Sequence, residues 1–122
     1  MLENRVKPVF LAIGSNLGDK KLNIEKAKFK LNSINNIKVL WCSSFYKTES
    51  WPNKKKPFFL NVVIKCNTDL NPRELFKIIK KIERDMGRVP SYRNAPRILD
   101  IDIIDFSQKK TVLKDIDLVI PH

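Results

Sequence analysis

A chain of 122 residues, 43% hydrophobic and 30% charged, is expected to bury one core in a single domain over residues 1–122; this composition excludes a disordered chain and a fibre, and no apolar run nears the roughly 20 residues that span a bilayer. Lys plus Arg total 24 against 13 Asp plus Glu, a formal net charge of +11, and such a field attracts anions: phosphorylated small molecules, nucleic acid or acidic lipid. Two cysteines, Cys42 and Cys66, are too few for a disulfide framework, and the charged start Met1–Lys7 lacks the apolar stretch of a secretory leader, so a reducing, cytoplasmic setting is expected.

In chain order, Val9–Ile13 is a short apolar run that ends in Gly14 and reads as a buried strand. The loop Gly14–Asp19 follows, with Asp19 as the N-cap of an amphipathic helix of about four turns whose apolar residues Ile24, Ala27, Leu31 and Ile34 recur at helical spacing; Asn35–Asn36 closes it. Val39–Tyr46 reads as one strand, Lys47–Pro57 as a polar loop and Phe58–Cys66 as the antiparallel partner strand. Asn71-Pro72-Arg73-Glu74 is a helix start with cap, first-turn proline and capping-box glutamate, and Leu75, Ile78, Ile79, Ile82 and Met86 form the apolar stripe that ends at Gly87. A second polar loop, Arg88–Pro96, leads to the last strand, Ile98–Phe106. Strand, helix, strand, strand, helix, strand is the order of an α+β ferredoxin-like sandwich, a mostly antiparallel sheet with helices packed on it.

The densest chemistry lies in that last strand. Side chains alternate along a strand, so Asp100 and Asp102 share one face while Leu99, Ile101 and Ile103 take the other. Two adjacent carboxylates repel unless a cation sits between them, and hard oxygen ligands suit Mg²⁺, which also takes phosphate oxygens. Taken alone, an Asp-x-Asp strand is more often a solvated acidic face. Arg88, Arg93 and Arg97 nearby, with Glu83 on the helix that feeds the loop, shift the balance toward a metal-bound polyphosphate held by guanidinium forks. The chain has three glycines and neither a G-x-x-x-x-G-K-[ST] loop nor a G-x-G-x-x-G turn; the single histidine is His122, and no Cys/His zinc spacing occurs.

Seven segments in order then resemble one family. They are Ala12–Asp19 (AIGSNLGD), Ser43–Thr48 (SSFYKT), Phe59–Asn61 (FLN), Lys81–Glu83 (KIE), Gly87–Arg88, Ala95–Asp102 (APRILDID) and Ile120–His122 (IPH). Over Val9–His122 the chain resembles 6-hydroxymethyl-7,8-dihydropterin pyrophosphokinase of folate biosynthesis. The resemblance implies a ferredoxin-like core and transfer of the pyrophosphoryl group of ATP to the pterin hydroxymethyl group, with release of AMP. It implies Asp100 and Asp102 as ligands of two Mg²⁺ ions, and Glu83, Arg88, Arg97 and His122 on the ATP side. Arg88, Arg97 and Asp102 would carry the catalysis. Thr48, Phe59 and Asn61 would form the pterin pocket. The implied partners are the two small-molecule substrates, with no membrane or nucleic acid, and with association or fusion to other folate-pathway domains.

Three departures accompany the resemblance. Where the family commonly reads R-W-G-P-R, this chain reads Arg93-Asn94-Ala95-Pro96-Arg97, without the tryptophan; Glu49 stands where the family has proline after the pocket threonine; and the family continues past the P-H pair, so the sequence is expected to lack its C-terminal segment. Two rival readings are a basic RNA-binding module of the same topology and a degenerate, non-catalytic copy of the pyrophosphokinase. The strand Phe58–Cys66 lacks the glycine and the leading basic residue of an RNA-recognition strand. Both loops flanking the site, Lys47–Pro57 and Arg88–Pro96, are candidate lids.

Overall fold

The computed structural model describes residues 6–49, 57–88, 97–107, 111–113 and 118–120, the last two segments as backbone. Strands β1 (Lys7–Ser15), β2 (Ile37–Cys42), β3 (Tyr46–Thr48), β4 (Phe59–Thr68) and β5 (Asp100–Phe106) alternate with helices α1 (Lys20–Asn32) and α2 (Pro72–Asp85). The sheet runs β2-β4-β1-β5, every pairing antiparallel, with β3 also on β4. Leaving aside β3, this is the ferredoxin-like arrangement expected from the element order.

Alternation builds the core. Val9, Leu11 and Ile13 of β1, Val62, Ile64 and Cys66 of β4, and Ile101 and Ile103 of β5 point to one face, where Ile24, Ala27 and Leu31 of α1 and Leu75, Ile79 and Ile82 of α2 cover them. Both helices pack on that single face, and the residues between the core positions stand on the other.

The helix starts follow the expected chemistry. Asp19 accepts the Leu22 N–H, and Asn71 and Glu74 complete the capping box: Asn71 Oδ1 takes the Glu74 N–H at 2.8 Å and Glu74 Oε1 the Asn71 N–H at 3.0 Å. Helix α1 ends at Asn32, not at Asn35–Asn36, because Ser33 caps it: the Ser33 N–H donates to Phe29 O and its hydroxyl to Lys30 O.

The expected strand Val39–Tyr46 is two strands. In β2 the register with β4 slips between Val39 and Trp41, so Leu40 is the extra residue of a bulge; β3 then resumes the pairing at Tyr46. Ser43 bridges the gap, its N–H donating to Val63 O and its hydroxyl accepting the Val63 N–H, both at 2.8 Å. Beyond β5, where no further strand was expected, β6 (Thr111–Leu113) and β7 (Leu118–Ile120) pair antiparallel as a second, two-stranded sheet. Among the described residues no helix is long and apolar enough to cross a membrane.

Candidate active site

The sheet face opposite the helices carries the candidate residues, and strand register sets them in rows. Asp100 of β5 opposes Gly14 of β1, which opposes Asn61 of β4, which opposes Tyr46 of β3. One step along, Asp102 opposes Ala12, which opposes Val63. Strands lie about 4.8 Å apart, so the carboxylate strand and the Asn61 strand are about 10 Å apart, with only a hydrogen and a methyl group standing between them on β1.

Asp100 sits at the centre of the charged side. Its Oδ1 accepts from Arg88 Nη1 at 3.0 Å and lies 3.5 Å from Arg97 Nη1. The same Arg88 Nη1 donates to Glu83 Oε2 at 2.7 Å. Backbone geometry delivers Arg88 to this position: Gly87 takes φ 98, and the Arg88 N–H returns to Glu83 O at 3.0 Å, the six-residue closure of a Schellman turn. Without a glycine at that left-handed position the chain would leave α2 in another direction.

Glu83 lies beneath the site. It is 2% exposed, and its two carboxylate oxygens are fully engaged: Oε2 takes Arg88 and the Ile101 N–H at 2.8 Å, and Oε1 takes Lys80 Nζ at 3.1 Å. It ties α2 to β5 and holds Arg88, so it acts on the carboxylate side of the sheet through that guanidinium.

Arg97 is fixed through its backbone by Asn16, a residue that motif reading passed over except as one letter of AIGSNLGD. The Arg97 N–H donates to Asn16 Oδ1 at 2.6 Å, the Asn16 N–H donates to Arg97 O at 3.0 Å, and Asn16 Nδ2 donates to Pro57 O at 3.4 Å. One buried asparagine at the end of β1 therefore pins the chain where both polar loops rejoin the sheet. The interiors of those loops, Arg93 and His122 lie outside the described residues.

On the opposite side, Asn61 Nδ2 donates to Thr48 Oγ1 at 3.0 Å, Tyr46 O at 3.2 Å and Phe59 O at 3.4 Å. With its amide nitrogen so occupied, Asn61 presents Oδ1 as an acceptor toward Gly14. Thr48, Phe59 and Asn61 are thus brought together, with Phe59 half-buried beside Gly14. Next to them two ammonium groups stand over the Phe58 ring, Lys20 Nζ at 3.4 Å and Lys47 Nζ at 4.7 Å from its centroid.

Among the described residues no cluster of three His, Cys, Asp or Glu side chains forms a protein-only metal cage. The donor set at Asp100 and Asp102 still fits Mg²⁺, which binds through one or two carboxylates and fills its octahedron with waters and phosphate oxygens. Carboxylates that suit a cation, beside guanidinium groups that suit phosphate, define an α+β domain with the donor set for a metal-bound phosphate. Comparison with known proteins then specifies it: the chain belongs to the 7,8-dihydro-6-hydroxymethylpterin-pyrophosphokinase family, whose model matches residues 10–122. It is 38% identical over 114 residues to the 2-amino-4-hydroxy-6-hydroxymethyldihydropteridine pyrophosphokinase of Aquifex aeolicus, covering 93% of this chain and 69% of that protein. It is 42% identical over 118 residues to the "Folic acid synthesis protein FOL1" of Dictyostelium discoideum, covering 93% of this chain. The mitochondrial "Folate synthesis bifunctional protein" of Pisum sativum is 36% identical over 121 residues, 99% of this chain. The chain spans 17% and 23% of the lengths of these last two relatives.

Proposed function

We propose that the domain transfers the pyrophosphoryl group of ATP to the hydroxymethyl group of 6-hydroxymethyl-7,8-dihydropterin and releases AMP. The observation that carries the reading is the register that sets Asp100 across Gly14 from Asn61, with Asp102 next to it beside Ala12, on one sheet face, in a chain of this family.

In this reading Asp100 and Asp102 hold Mg²⁺, two ions, and the metal supplies charge neutralisation for the phosphates. Arg88 and Arg97, which here neutralise Asp100, take phosphate oxygens with their planar forks once the nucleotide arrives. Glu83 keeps Arg88 aimed at the phosphates. His122 contributes on the nucleotide side. Phe59 stacks on the flat heterocycle, and Asn61 Oδ1 accepts from its N–H edge while Thr48 holds the Asn61 amide in place.

The hydroxymethyl oxygen attacks the β-phosphorus. A new O–P bond forms, the bond from the β-phosphorus to the oxygen bridging it to the α-phosphorus breaks, and AMP leaves with that electron pair. Asp102 would take the hydroxyl proton, as a weak base. Positioning and charge neutralisation carry most of the rate. The free thiols Cys42 and Cys66 fit a cytoplasmic protein. Longer polypeptides would join this domain to other folate-pathway domains.

Chromatography of the reaction mixture tests the reading. AMP and a diphosphorylated pterin should rise in equal amounts and only when Mg²⁺, ATP and the hydroxymethyl pterin are all present. ADP as the nucleotide product would overturn it.

A further inference from the structure

Strand β1 crosses the middle of the sheet face opposite the helices, and its side chains there fall in size along the strand. Phe10 is followed on that face by Ala12 and then by Gly14. Phe10 is flanked by Asp105 and Lys65, Ala12 by Asp102 and Val63, and Gly14 by Asp100 and Asn61. Directly opposed side chains have Cβ atoms about 5 Å apart, so a residue of any length at position 12 or 14 would stand between the carboxylates and the amide pocket.

At Gly14 there is no spare room: a Cβ there would meet Asn61 Oδ1 at 2.9 Å and Phe59 Cδ1 at 3.4 Å. Gly14 has an ordinary strand conformation, since the positive-φ glycines are Gly18 and Gly87. The glycine therefore serves space, not backbone freedom. It leaves Asn61 the space to make its three amide hydrogen bonds with Oδ1 turned toward Gly14. One step along the same face Ala12 presents only a methyl group beside Asp102, and Phe10 follows it.

We propose that the strip over Ala12, between Val63 and Asp102, is a side-chain-poor lane that sets the size of the acceptor's reactive arm, with Ala12 as a specificity-determining residue. The lane admits an unbranched one-carbon alcohol arm reaching from the ring pocket toward Asp102 and excludes an arm branched at that carbon. This inference rests on the reaction proposed above and adds what that reaction does not require: a residue whose side chain is a single methyl group, without acid, base or hydrogen-bonding chemistry, that still selects the acceptor. One methylene in a close-fitting pocket typically changes kcat/KM by about 10- to 200-fold.

The test uses the full chain and three variants, Ala12→Gly, Ala12→Val and Ala12→Leu. Two acceptors are compared, the hydroxymethyl dihydropterin and its 1-hydroxyethyl analogue. Calorimetric titration of Mg²⁺-ATP and of dihydropterin lacking the arm runs beside AMP release. Ala12→Val and Ala12→Leu should keep the Kd for Mg²⁺-ATP and for the armless pterin within about threefold while kcat/KM for the hydroxymethyl acceptor falls at least about tenfold. Ala12→Gly should raise the hydroxyethyl-to-hydroxymethyl ratio at least about tenfold. Thermal unfolding identifies a variant that fails to fold, and valine, which favours strands, guards against that outcome. Unchanged acceptor kinetics in Ala12→Val and Ala12→Leu overturn the lane and leave the reaction standing. Equal losses for the armless pterin also overturn it, because they mark a distorted ring pocket instead of a blocked arm. Absence of AMP release and of Mg²⁺-ATP binding in the parent chain overturns the reaction itself, and the lane with it.

Discussion

Replacement of Glu83 is the sharpest perturbation of the charged side. The carboxylate is 2% exposed and serves three donors, Arg88, Lys80 and the Ile101 N–H. Glu83→Gln keeps the shape but must turn its NH₂ toward one of them. The least costly choice faces Lys80, which is 40% exposed and free to swing into water. Oε2 then still serves Arg88 and Ile101, now as neutral acceptors. A charge-assisted bond is roughly twice as strong as a neutral one, so the loss should be about 2 kcal/mol. Glu83→Ala leaves the buried Ile101 N–H without its acceptor, leaves Arg88 with Asp100 alone and opens a cavity, and should cost about 3–5 kcal/mol. For 122 residues, unfolding entropy near 2.1 cal/mol/K per residue converts each kcal/mol into about 4 °C. Thermal denaturation should therefore show Tm lower by about 8 °C for Gln and about 12–20 °C for Ala. Turnover should fall further than stability accounts for, because Arg88 loses the anchor that aims it, and Gln should restore part of the turnover lost in Ala. An alanine variant with Tm within about 2 °C of the parent and full turnover would refute the view that Glu83 carries both the α2–β5 junction and Arg88.

Asp100→Asn and Asp102→Asn should each abolish AMP release with little change in Tm, since Leu99, Ile101 and Ile103 hold the strand in the core; Mg²⁺-dependent turnover at the parent rate in either variant would remove it from the metal site. Arg97→Lys should lower kcat/KM at least about tenfold, about 1.4 kcal/mol, because an ammonium cannot fork onto two phosphate oxygens; steady-state kinetics decide this. Burial pushes the Cys66 thiol from its ordinary 9.0 up to about 11. The unfolded chain then releases that proton first. The contribution is intact below pH 9, falls as pH rises toward 11, and amounts to about 2–3 kcal/mol in all. Denaturant titrations of the parent and Cys66→Val across that range should show a steeper alkaline loss in the parent, and parallel curves would contradict the assignment.

Much of this was legible in the sequence because it depended on local chemistry. Asn71, Pro72 and Glu74 specify a helix start within four residues, and the alternation of Leu99 to Ile103 fixes which way Asp100 and Asp102 face. Other features depend on partners distant in the chain. The bulge at Leu40 arises from the register against Lys65 and Cys66, so Val39–Tyr46 reads as one strand until β4 is in place. Glu83 looks like a surface-adjacent acid in the helix pattern, and only the approach of Ile101 and Arg88 buries it. Asn16 contacts Arg97, 81 positions away. The smallness of Gly14 and Ala12 gains meaning only when β4 and β5 flank β1.

The most direct measurement of the central claim follows the phosphorus. ATP labelled at the β-phosphorus is incubated with the chain, Mg²⁺ and the hydroxymethyl dihydropterin, and the products are separated. The account predicts that all transferred label appears in the diphosphorylated pterin, that the nucleotide product is unlabelled AMP, and that Asp102→Asn shows neither. Label retained in a nucleotide diphosphate, or transfer undiminished in Asp102→Asn, would contradict it.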